Sequence, residues 1–408
     1  MLTPADRLQR PSERARLNDV VAWIDGWAAP VAAEDVLLAH AVGRVLARSV
    51  EAPLDLPPFD RAAADGFALR ADETVGASAY NPLPFRLGPA SAGVAPGVAV
   101  AVASGDPLPA GADAVIRLEH AMPEPPGAMA AIAPVFAGSS VERKGSHAVR
   151  GSVLLASGRR LDASNVGLLA AAGLARVSVM GMPRVRCVLL AGRAIEAGRA
   201  PAAGEIYDAN GPMLAALVGR DGGVVAGRHR VERDEKALGE ALRHALEAPE
   251  ADIVLVAGGT GPGADDHAAA ALAQAGALAV HGVAVRPGET AGAGRAAGMP
   301  VFLLPGVPVD CLWAYELIAG RAIRLMAGRS PELPYAVETL RLARKIVSEV
   351  GTVEVCPVRR TGGAEAEPMP SFGEAGLAAA AHADGFVLVP EASEGHPQGA
   401  AVIVYLRR

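Results

Sequence analysis

The sequence predicts a multidomain α/β protein, with a central, mostly parallel sheet covered by helices on both faces and smaller domains around it. Three observations carry this expectation. The chain has 408 residues, too many for one hydrophobic core and enough for roughly two to four domains. From Pro183 onward, strand-like runs (VRCVLL, GVVAG, DIVLVAGG, GVAVRPG, PVFLLPG) alternate with helix-like ones, the habit of βαβ crossovers. On either side of that region the chain is rich in short apolar bursts separated by Gly and Pro, as in small β-domains joined by turns.

Taken in order, residues 1–50 read as helical. Val20, Val21, Ile24 and Trp27 recur at 3/4 spacing, and Ala33 to Leu46 carries a second amphipathic pattern. Residues 51–140 read as an inserted β-rich domain. A strand, turn, helix (Ala163 to Ala172) and strand then return the chain, so residues 141–182 are expected to complete a discontinuous N-terminal domain with 1–50, the helix packing on the N-terminal helices. The α/β domain is expected over 183–329, ending in a helix from Val309 to Met326. A C-terminal β-domain is expected over 330–408, from ETLRLARKI, TVEVCPVRR, GFVLVP and AVIVYLRR.

Composition excludes several classes. A hydrophobic fraction of 51% with 20% charged residues describes a globular chain. Mean hydropathy is +0.27, yet no uncharged apolar run approaches the roughly 20 residues of a membrane helix. The charge-studded N-terminus has no apolar signal region, which points to the cytoplasm. Cys187, Cys311 and Cys356 form no CxxC pair and read as buried free thiols. Net charge of −6 without a Lys/Arg run argues against nucleic acid as a partner.

The strongest local signal is DIVLVAGGTGPGADDH, a buried strand running into Gly258, Gly259, Thr260, Gly261 and Gly263 before a helix expected near Asp265 or Asp266. Such a loop can bring amide N–H groups against an anion, and the helix N-terminus adds partial positive charge. Asp266 either caps that helix or faces a divalent cation bridging it to the ligand. The spacing is neither a dinucleotide fingerprint nor a Walker A loop. Two further loops, LLPGVPVD with Pro305, Gly306 and Pro308, and VRPGET with Arg286, complete the set. Asp208 and Asn210 of IYDAN precede a helix, where capping is a sufficient role for one of them. In isolation, Asp65-Gly66 looks like an ordinary turn.

Together these segments resemble the MoeA/gephyrin-E family of molybdopterin molybdotransferases. PPFDRAAADGFALR resembles that family's PxFDxSAMDGYAxR, and SGDPLPAGADAVIRLEH its TGxxLPxGADAVVxxE. IYDAN, RPGET and LPGVPV resemble IYDSN, KPGKP and LPGNPV, all collinear over nearly the whole chain, and RKIVSEVGTVEV resembles the last domain. The resemblance implies a MogA/MoaB-like central domain in a dimeric, four-domain subunit. It implies insertion of molybdate into adenylylated molybdopterin with Mg2+ and release of AMP, and apo-molybdoenzymes as further partners. By motif, Asp65, Asp208 and Asp266 would be catalytic, and Asp208 and Asp266 metal ligands. Ser104, Gly258, Gly259, Thr260, Gly261, Arg286, Pro305, Gly306 and Pro308 would bind the ligand.

The chain departs from the pattern at defined places. AGRAIE replaces TGDEL, leaving Glu196 two residues off register; GGTGPG replaces GGVSVG and is closer to the MogA/MoaB adenylyltransferases. Arg286 and Glu289 stand for the two lysines, Val307 for the Asn and Asp310 for the Ser. Loss of one charge-assisted hydrogen bond typically costs roughly 1.5–3 kcal/mol. Three readings therefore stand side by side: a molybdotransferase with a modified site, a paralogue that binds molybdopterin, finished cofactor or another ligand as a carrier or assembly partner, and an enzyme of unrelated chemistry on the same fold.

Overall fold

A computed structural model describes residues 14–407 apart from 125, 191, 249 and 372–375. The start of the expected N-terminal helical segment, residues 1–13, lies outside them. The chain forms two compact units, one of Asp35–Val179 and one that joins the residues before Asp35 to those from Met180 onward.

The larger unit is organised by a six-stranded sheet. Its strands run in the order Val224–Val231, Arg184–Leu190, Ile253–Ala257, Met299–Leu304, Gly292–Ala296, Gly276–His281. The first four are parallel, with Val185 opposite Ile253 and Val254 opposite Val301; the last two are antiparallel. Every residue of Ile253–Ala257 is buried, as expected for a strand covered on both faces. Helix Asn210–Asp221 packs on one face with the helical run Pro308–Met326, and helices Glu235–Glu247 and Ala268–Ala275 on the other. Among the described residues no helix is long and apolar enough to cross a membrane.

Two elements differ from expectation. Helix Leu17–Asp25 does form, but it buries Val20 and Ile24 in the core of this larger unit, where Trp23 lies edge-on to Phe302. Burial of each such side chain contributes roughly 1.5–3 kcal/mol, which outweighs any preference for a separate N-terminal bundle. GVAVRPG does not enter the central sheet: its short strand Val285–Arg286 pairs in parallel with Val353–Glu354 of the C-terminal sheet. Its place is taken by the alanine- and glycine-rich strands 276–281 and 292–296, which lack the β-branched signature and read poorly as strands. The helix after the glycine loop runs over Ala268–Ala275, within a residue of the stretch His267 to Ala275 that reads as helical and just past Asp265 and Asp266.

The C-terminal sheet of the same unit contains Ala336–Leu342, Val353–Arg360, Glu365–Pro368, Gly385–Val389 and Ala401–Leu406 around its own apolar cluster. In the smaller unit, six short strands lie in the order 114–117, 66–69, 98–102, 83–87, 128–131, 121–123. Helix Ala163–Ala171 starts at a reciprocal Asp162–Asn165 capping box and packs Leu169 against Ala41, Leu46 and Leu161. The second amphipathic stretch, Ala33 to Leu46, is not a helix. Residues Glu34–Leu37 pair with Arg176–Val179, and a single 3-10 turn follows; Val36 and Leu38, half-buried, pack against the apolar cluster of this unit.

A buried ion network locks the helices of the larger unit. Arg220 forks onto Glu316 at 2.6 and 2.9 Å, Arg324 meets Asp221 at 3.0 Å, and the Tyr335 hydroxyl joins Glu316. Asp221 and Glu316 are almost wholly inaccessible. The π-turn Tyr315–Ala319 within the Pro308–Met326 run holds Glu316 in this network. Removing one partner of such a set leaves charge buried without compensation, so Arg324→Ala should destabilise this unit by roughly 3–5 kcal/mol. Trp23, Trp27 and Trp313 are the chain's three tryptophans and all lie in this unit, so a lowered urea midpoint followed by tryptophan fluorescence checks it.

Candidate functional site

Leaving the central strand at Ala257, the chain takes two consecutive left-handed residues, Gly258 at φ +100° and Gly259 at φ +68°. The positive φ calls for glycine, and a Cβ on Gly259 would fall 2.6 Å from Leu190 Cδ2, so that side chain would have to shift. The Gly258 amide donates to Leu304 O at 2.9 Å, tying the loop to the neighbouring strand end, and the Ala268 amide donates to Gly259 O at 2.9 Å. Among the described residues the amides of Gly259, Thr260 and Gly261 have no hydrogen-bond acceptor.

This turn borders a cavity of about 700 Å3 at the carboxyl edge of the sheet. Of the ligand residues expected from sequence, Gly258, Gly259, Thr260, Gly261, Pro305 and Gly306 line it, as does Asp266. Pro308 instead opens the following helix at its first turn, where its missing N–H is harmless. The Thr260 side chain is turned away from solvent: its hydroxyl meets that of Thr290 at 2.9 Å, and the His281 ring nitrogen donates to its carbonyl at 2.9 Å. Thr290 brings the VRPGET loop to the cavity. Arg286 is not brought there; its guanidinium pairs with Glu349 at 3.2 Å, because its strand is drawn to the C-terminal sheet.

Asp266 does not cap the helix. Its Oδ2 accepts from the Gly263 amide at 2.9 Å, closing the loop on itself, and its Oδ1 lies 3.3 Å from Arg233 Nη2. Asp208 accepts from the Gly211 amide at 2.9 Å, the turn role that sequence allowed it, and lines a second cavity of about 350 Å3 with Glu196, Arg228 and Arg230. Asn210 bridges IYDAN to the LPG loop, donating to Gly306 O at 2.8 Å. In the smaller unit, Asp65 and Ser104, far apart in sequence, are in contact: Asp65 Oδ1 accepts from the Ser104 amide at 2.7 Å. Antiparallel pairing of Gly66 with Val102 brings them together.

A Mg2+ ion held by Asp208 and Asp266 does not fit this arrangement. The two carboxylates line different cavities, and Asp266 already has both oxygens engaged. Among the described residues no group of three or more His, Cys, Asp or Glu converges.

Sequence reasoning passed over Arg193, Arg233 and Thr290, which line the 700 Å3 cavity, and Arg228 and Arg230 beside the second one. The available signal was GRHRVER at 227–233, where two arginines at period 2 share one face of an edge strand. Asp310, noted as a departure, also lines the larger cavity. Burial, and secondarily Glu289, push its carboxyl up to about 6. The three cysteines are buried and free; burial pushes the Cys187 thiol up to about 12, away from any reactive thiolate.

Comparison with known proteins accords with this architecture. Three family models match in succession: the MoeA N-terminal region (domains I and II) over 13–173, a probable molybdopterin binding domain over 188–324, and the MoeA C-terminal region (domain IV) over 339–406. A Methanocaldococcus jannaschii protein named for molybdopterin biosynthesis is 31% identical over 91% of this chain and 92% of its own. Molybdopterin molybdenumtransferase 1 of Mycobacterium tuberculosis is 33% identical over 72% of this chain and 74% of its own. The crystal structure of the MoeA protein from Pyrococcus horikoshii superposes with a TM-score of 0.79 at 28% identity, covering 97% of this chain and all of that one. On sequence and fold alike, the chain belongs to the MoeA family.

Proposed function

We propose that this protein is a molybdopterin molybdotransferase acting in the cytoplasm, which inserts molybdenum from molybdate into adenylylated molybdopterin and releases AMP. The observation that carries this reading is the 700 Å3 cavity itself. It combines acceptor-free amides at Gly259, Thr260 and Gly261 with the guanidinium groups of Arg193 and Arg233, a setting suited to the phosphates of a pterin nucleotide. Asp65 and Ser104 belong to two further motifs of the resemblance, and their part in this reading depends on a homodimer. The Mg2+ expected from the family would have to arrive with the phosphates, since among the described residues no group of three or more His, Cys, Asp or Glu converges to hold it.

A specific observation favours the carrier reading as the second choice. Asp310 and Glu289 place two carboxyl groups by the loops where an oxyanion would approach, and like charge there opposes molybdate. A carrier would bind the pterin ligand and leave its phosphate bond intact.

Incubation with adenylylated molybdopterin and molybdate decides between them: AMP should appear in step with activation of an apo-molybdoenzyme, whereas tight binding without AMP sinks the transferase reading. Sedimentation at tens of micromolar should give twice the 41.3 kDa of one chain, and a strictly monomeric protein removes Asp65 from the site. The charge on Asp310 has a sign that can be checked. Its folded-state value lies above that of the unfolded chain, so its contribution is present at low pH and lost as pH rises through about 6. Asp310→Asn should therefore melt above the parent protein at pH 8, with the gap closing between pH 6 and 4.

A further inference from the structure

Arg233 stands where the resemblance would put a metal. The aliphatic stem of Arg233 crosses Gly192, where an added Cβ would meet its Cδ at 3.2 Å, and its head rests 3.3 Å from Asp266 Oδ1. Gly192, Arg233, Asp266 and the glycine turn all border the same cavity. Packed along its stem and ion-paired at its head, Arg233 borders the same cavity as Gly259 and Thr260.

A divalent cation and this guanidinium compete for one place. Mg2+ requires near-octahedral oxygen ligands and parts reluctantly with its water, so it needs room around a carboxylate oxygen. At Asp266 one oxygen already faces Arg233 and the other accepts from the Gly263 amide, so a cation there would have to share or displace these donors. The guanidinium, by contrast, presents five N–H donors, and Asp266 engages only one of them. The rest are available to a phosphate in the forked geometry that arginine favours.

We propose that Arg233, positioned by Asp266, is the resident counter-charge of this cavity and binds a phosphate-bearing ligand there without a divalent cation. The inference rests on the phosphate-binding reading above and adds to it the residue that neutralises the phosphate. Asp266 is then a positioning residue, which turns the guanidinium toward the glycine loop.

The test is calorimetric titration of the full chain with AMP, in excess EDTA and again in millimolar Mg2+. Wild-type affinity should agree within about twofold between the two buffers. Arg233→Ala should weaken AMP binding roughly ten- to a hundredfold in EDTA, the loss of one charge-assisted contact. Added Mg2+ should restore much of it, since Asp266 is then free to take the cation; Arg233→Lys should fall between. Arg233 is more than half exposed and its ion pair contributes little to folding, so an unchanged melting temperature separates a binding defect from a folding one. Wild-type binding that needs Mg2+, or an Arg233→Ala variant that binds normally in EDTA, overturns this inference and leaves the function standing. Failure of AMP to bind wild type in either buffer overturns both.

Discussion

The left-handed pair Gly258-Gly259 is the constraint from which the rest of the site follows. A buried parallel strand ends there, and the backbone must reverse over Leu190 without a side chain in the way. The turn hands its first amide to the Leu304 carbonyl and its second carbonyl to Ala268, so one short segment joins two strands and starts a helix. What is left over, the amides of Gly259, Thr260 and Gly261, belongs to residues that line the cavity, at the carboxyl edge where a parallel strand must stop.

Two kinds of charge border that cavity. Arg233 lines it in an ion pair with Asp266 that engages one of its N–H donors, and Asp310 lines it as an acid whose ionisation is opposed by burial and secondarily by Glu289.

Much of this was legible in the sequence, and the exceptions have physical causes. DIVLVAGG is unambiguous because five buried apolar residues followed by two glycines can hardly be anything but a strand ending at a sharp turn. The collinear motifs located Asp65 and Ser104, though only strand pairing shows that they touch. Arg286 was misplaced because its short strand answers to a partner more than sixty residues away, and local pattern carries no record of that pairing. Ala33 to Leu46 has helical spacing, but a strand partner 140 residues on outweighs it. Arg233 was invisible for the same reason: an arginine after an edge strand looks like solvent-facing charge until the fold brings Asp266 to it.

The segment Val283–Arg286 is gripped from both ends of the chain. Its backbone bonds to Ala15 near the start and to Val353 in the C-terminal sheet, and four residues further on Thr290 reaches the glycine turn. The α/β region is therefore no excisable cassette. A fragment trimmed to the central sheet would strip both edges from this ribbon, and the loop carrying Thr290 would lose its amide protection against hydrogen exchange even though every strand of the main sheet were retained.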